Sequence, residues 1–163
     1  MKISIVIVSI MATLFYSFSF QVEKTQPDMT VPFPEGYRDW KHIKSGYIGP
    51  GSIGFKLFGG FHHIYANELA IQGYTKGVFP EGSVLVFDVM STKESEGVIE
   101  ETSRFVVDVM IKDSIKFAAT HGWGFERFKG DSNTERLLDA NFRSSCVSCH
   151  QKTPDFVFSE YRK

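Results

Sequence analysis

Two cysteines are all the chain has, and they stand three positions apart with a histidine directly after the second: Cys146-Val147-Ser148-Cys149-His150. On a helical turn, two thiols at that spacing share one side of the chain. Each can add to one vinyl group of a haem while the adjacent imidazole is directed at the iron, so the run reads as c-type haem attachment. The expected cofactor is one covalently bound haem c, attached through Cys146 and Cys149, with His150 as proximal iron ligand. Three other chemistries use the same residue types: a lone disulfide, a thioredoxin-like redox pair, and thiolate–imidazole ligation of zinc. The redox pair belongs early in an α/β domain, whereas this one falls in the last twenty residues. Zinc requires a fourth ligand at finger-like spacing, and none lies nearby.

What an iron does depends on its second axial position. Methionine or histidine there makes an electron carrier; an open position binds or transforms small nitrogen-oxide or oxygen species. Met90, Met110, His62, His63 and His121 are available to fill it, and each is equally an ordinary core or surface residue. A haem also requires broad apolar walls. Phe55, Phe58, Phe61, Phe79, Phe125 and Phe128 are candidates among 16 phenylalanines, and periodicity does not separate them. Glu126, a carboxylate inside an aromatic strand, is the candidate acid–base group, because burial would raise its pKa toward the working range. Asp108 is the second choice. The alternative use of Glu126 is an ion pair with Arg127 or a neighbouring lysine.

Positioning these residues falls to short strands and helices. Pro32 to Gly36 sets a turn, Tyr37 to Trp40 makes a short helix, and Trp40 to Ile48 runs extended into a glycine-rich loop, Gly46 to Gly60. Alternation and β-branched content predict strands over His62–Asn67, Ser83–Met90, Arg104–Lys112 and Trp123–Phe128. In the last of these, Trp123, Phe125 and Arg127 take one side, with Gly124, Glu126 and Phe128 on the other. A charged connection, Ser91 to Glu101, closes a hairpin between the second and third. Helical turns are expected at Glu68–Gln72, ended by Gly73, at Ser114–Thr120, capped by Asp113, and at Thr134–Ala140. The order is α+β, mainly antiparallel sheet with short helices, in a single domain.

Residues 1–19 are apolar after Lys2, with small residues at Ser17 and Ser19. They read as a secretory signal cleaved near Ser19 or, alternatively, as an uncleaved anchor, since about 18 apolar residues can span a bilayer. Either exports the domain, and a periplasmic location agrees with where c-type haem is attached. Residues 20–32 are polar and unpatterned and read as a linker, leaving 33–163 as the haem domain. The formal charge of −1 and the scattered lysines and arginines exclude a nucleic-acid footprint.

Several blocks together resemble the cytochrome P460 family. They are Pro34 to His42, His63 to Asn67, Gly77 to Gly82, Val107 to Ser114, Gly122 to Phe128 and the terminal Cys-x-x-Cys-His, spanning roughly residues 33 to 161. The resemblance implies a mostly antiparallel β domain, commonly a homodimer, holding one c haem with a proximal histidine and an open distal side. Some members of that family oxidise hydroxylamine, passing electrons to a soluble acceptor cytochrome. The related β-type cytochromes c′ bind nitric oxide or similar gases behind distal phenylalanines. In the enzymatic members a lysine is also bonded to the haem macrocycle; the resemblance puts Lys76 in that region, with Tyr74 or Thr75 at the matching position in a shifted register and a solvated turn residue as the other use of Lys76.

Overall fold

Alternating apolar residues mark five extended segments, and the computed structural model, which describes residues 28–162, joins them into one antiparallel sheet. Its strands are β1 (Lys41–Ile48), β2 (Gly60–Ala66), β3 (Val84–Ser95), β4 (Val98–Lys112) and β5 (Trp123–Lys129), side by side in chain order. Three short helices, α1 (Phe55–Phe58), α2 (Glu68–Lys76) and α3 (Ala140–His150), complete an α+β domain. Among the described residues no helix is long and apolar enough to cross a membrane. The expected signal or anchor over 1–19 lies outside the described residues.

Register decides which side chains share a face. Ile64, Phe87, Asp108 and Arg127 form one cross-strand row, and Ala66, Leu85, Met110 and Phe125 the next on the same face. Between them Tyr65, Val86, Val109 and Glu126 point the other way. That second face packs a core of Val31, Tyr37, Tyr65, Val86, Val107, Val109, Phe117 and Phe128. Gly124 is there to admit Phe117, whose ring would stand 2.4 Å from a Cβ at that position. The first face carries Ala66, Leu85, Trp123 and Phe125, with Cys146 and Phe156 packed against them. Both faces of β5 are therefore covered, as its two-sided pattern predicts.

Several boundaries differ from the sequence expectations. Helix α2 runs through Gly73 to Lys76 and is closed instead by Gly77, at φ 80°. Gly73 is a packing residue, since a Cβ there would meet the Phe79 ring at 2.4 Å. The charged stretch Ser91 to Glu101 is mostly strand: β3 continues to Ser95, β4 begins at Val98, and Glu96 and Gly97, at φ 54° and 80°, make the two-residue turn. Of the helix expected over Thr134 to Ala140, only Ala140 is helical, as the first residue of α3, because the backbone before it is drawn to β5, where Lys129 donates to the Glu135 carbonyl and Leu137 to that of Arg127. Asp113 does accept from Ile115 and Lys116, but only a single turn, Ala118–Thr120, follows before His121 turns left-handed. Part of the glycine-rich loop belongs to β1 and α1. Val31, expected in the linker, is fully buried, so packing begins before residue 33.

Candidate functional site

Helix α3 starts where Asp139 accepts a hydrogen bond from the Phe142 N–H, which satisfies one of the free donors of its first turn. Arg143 pins it to the sheet, its Nε donating to the Phe125 carbonyl of β5 at 3.1 Å. The helix thereby sets Cys146, Cys149 and His150 along one wall of a cavity of about 430 Å³. The opposite walls come from the two cross-strand rows and from Leu57 and Phe58 of α1. Cys146 and Cys149 are both free thiols. Burial pushes the Cys146 thiol up to about 11, so it stays protonated at neutral pH.

His150 Nδ1 lies 2.7 Å from the Phe156 carbonyl oxygen. A carbonyl only accepts, so Nδ1 carries the proton and Nε2 keeps the lone pair. Burial lowers the pKa of the imidazole, against the opposing pull of this bond and of Asp108, and so favours the neutral ring that ligates a metal. Phe125 and Phe158 flank the ring at centroid distances of 5.2 and 4.8 Å. Two thiols at haem-attachment spacing, an imidazole with its tautomer already fixed and walls that are mostly apolar fit a haem.

A bidentate ion pair stands in those walls. Arg127 donates to both carboxylate oxygens of Asp108, Nε at 2.6 Å and Nη2 at 2.7 Å. The guanidinium is held between the rings of Phe58 and Phe142, 4.9 and 5.1 Å away. Asp108 keeps 22% of its side-chain surface open, and the opening is to the cavity it lines. Burial raises its pKa above the ordinary carboxylate value, with Arg127 opposing the rise.

The structure therefore gathers Cys146, Cys149 and His150, and with them the second-choice carboxylate Asp108. Glu126 is also among the residues lining the cavity, but its carboxylate is taken up by arginines. Its side chain is 2% exposed, and Oε2 accepts from Arg136 at 3.0 Å and Arg143 at 3.2 Å while Oε1 accepts from the Arg127 backbone. Its partners are thus neither the Arg127 side chain nor a lysine. Lys76 is exposed in the last turn of α2 and is not among the residues lining the cavity. Of the phenylalanine candidates, Phe58 and Phe125 line the cavity, whereas Phe79 and Phe128 are core and Phe55 and Phe61 lie off it. Met110 lines it; Met90, His62, His63 and His121 do not. Sequence reasoning passed over Phe87, Phe142, Phe158 and the cavity role of Arg127, which only strand register and the C-terminal fold-back reveal.

The model of the family described as Cytochrome P460 matches residues 34–159, most of the chain, and the chain belongs to that family. No curated protein matches it. Membership implies a haem cofactor.

Proposed function

We propose, with membership of the cytochrome P460 family as the premise, that this is an exported cytochrome with one haem c, acting on small nitrogen oxides at an open iron. Hydroxylamine is the specific substrate of the enzymatic form. The observation that carries this reading is the convergence of Cys146, Cys149 and a tautomer-fixed His150 on one wall of a cavity that also holds the Asp108–Arg127 pair. When bound, the haem supplies an iron that ligates small nitrogen compounds and exchanges electrons with them. Cys146 and Cys149 would hold it by thioether bonds, and His150 would ligate it through Nε2.

The remaining work belongs to the chain's own groups. Asp108, which lines the cavity with part of its surface open, would take a proton from a substrate there, with Arg127 holding its two oxygens in position. Phe58, Phe87, Phe142 and Leu57 supply apolar walls to the cavity. Leu57 and Phe158, 41% and 57% exposed, give its mouth an apolar rim suited to a soluble acceptor cytochrome. The functional unit is a homodimer and its location the periplasm.

The position of Lys76 favours a second reading, a nitric oxide-binding cytochrome without turnover, because a side chain outside the lining is poorly placed to bond a macrocycle. Spectra of protein matured in a host competent for cytochrome c assembly separate the readings. A ferrous band far to the red of ordinary haem c, surviving denaturation and accompanied by hydroxylamine-dependent reduction of an acceptor cytochrome, supports the enzyme. An ordinary c-type spectrum with carbon monoxide binding and no turnover supports the gas binder. A six-coordinate low-spin spectrum indifferent to carbon monoxide overturns both and leaves an electron carrier, with Met110 the cavity residue able to supply the sixth ligand.

A further inference from the structure

The segment after α3 doubles back across the cavity wall, and its geometry is held by one carboxylate. Asp155 and Phe156 both adopt left-handed backbone, at φ 40° and 65°. Neither is glycine, and such backbone is strained unless its surroundings over-determine it. Here they do. Asp155 Oδ2 accepts from the Phe79 backbone N–H at 2.6 Å, and Oδ1 accepts from Lys112 Nζ at 3.1 Å and Trp123 Nε1 at 3.3 Å. These donors come from three places: the loop after α2, the end of β4 and the start of β5. Lys112 also stands over the Trp123 ring, 5.0 Å from its centroid, so cation, indole and carboxylate form one unit. The next residue along, Phe156, presents the carbonyl that receives His150 Nδ1–H.

We infer that Asp155 is a positioning residue for the proximal histidine: by clamping the strap in its left-handed turn it holds the Phe156 carbonyl on His150 and sets the basicity of the ring. An imidazole whose far N–H is given to a fixed acceptor is a stronger donor to iron and stabilises the ferric state. The ring does not touch Asp155, so the effect passes through one peptide unit. Nothing in the haem-attachment run itself marks this aspartate, which lies five residues beyond His150.

This inference rests on the haem reading above, and its test uses the full holoprotein. Asp155→Asn keeps the shape and loses the charge; Lys112→Gln leaves Asp155 in place and removes its cationic partner, which guards against an Asp155 variant that does not fold. Lys129→Gln, which breaks an exposed pair remote from the strap, is the control. The readouts are the iron–histidine stretch in the ferrous resonance Raman spectrum and the ferrous-to-ferric ratio at fixed ambient potential. For Asp155→Asn the stretch should fall and the ratio rise about tenfold, the lower end of what loss of an outer-shell partner costs a metal site. Lys112→Gln should move both the same way by less, Asp155→Glu should recover part of the change, and Lys129→Gln should move neither. Wild-type stretch and ratio in both strap variants would overturn the inference while leaving the haem reading intact. Wild-type protein without haem would overturn both.

Discussion

Glu126 is the residue on which sequence and structure diverge most usefully, and replacing it by glutamine tests the difference. The substitution keeps the shape but leaves one acceptor oxygen where the carboxylate had two, so Arg136 and Arg143 on one side and the Arg127 N–H on the other are no longer all satisfied. A buried donor left without an acceptor costs about 1–3 kcal/mol. Two guanidiniums also lose their counter-charge. Breaking a fully buried pair costs about 3–5 kcal/mol, but Arg136 is 34% exposed and Arg143 16%, so water recovers part of that penalty. The net expectation is about 2–3 kcal/mol of destabilisation. For a domain of this size, a melting temperature lower by roughly 6–10 °C follows. Circular dichroism melts of the holoprotein measure it, with the ferrous spectrum recorded alongside and expected to match wild type. A melting temperature within about 1 °C of wild type, combined with loss of hydroxylamine turnover, would refute the structural assignment and restore Glu126 as the acid–base group.

Three further outcomes follow from the packing and the site. Gly73→Ala, which in an ordinary helix interior gains about 1 kcal/mol, should here cost about 1–3 kcal/mol, because its methyl meets the Phe79 ring; a urea midpoint at or above wild type would contradict this. In haem-free protein, a Cys146 thiol raised to about 11 is roughly 0.1% thiolate at pH 8, so alkylation followed by peptide mass spectrometry should find Cys149, which is exposed, labelled first. The Cys146 rate should climb about tenfold per pH unit up to about 11, and equal labelling of both at pH 8 would count against the burial. Lys76→Ala should leave the ferrous spectrum unchanged; loss of a red-displaced band on that substitution would place the lysine at the macrocycle after all.

The strands were legible because their alternation survives burial: Ser83–Met90 and Arg104–Lys112 read as strands in the sequence and are strands in the fold. Their extension was not, since Lys93 to Val98 is exposed throughout and the stretch Ser91 to Glu101 offers no apolar period to detect. Gly73 misled for a related reason. A glycine is read as a stop, while its actual use, room for the Phe79 ring, depends on a residue brought in by tertiary packing. At the site, covalent spacing announced Cys146, Cys149 and His150 directly. Asp108 and Arg127 become a pair only through the pairing of β4 with β5, and Asp155 only through the fold-back of the strap; no local pattern records either.

Mass and pyridine haemochrome spectrum of protein matured in a host competent for cytochrome c assembly probe the covalent arrangement on which everything else stands. The expected result is a chain heavier by a single haem that resists acid–acetone extraction, with a haemochrome of the two-thioether type that shifts toward one saturated vinyl when either Cys146 or Cys149 is changed to alanine. Protein that carries the unmodified polypeptide mass, or a haem extracted intact by acid–acetone, would contradict the account.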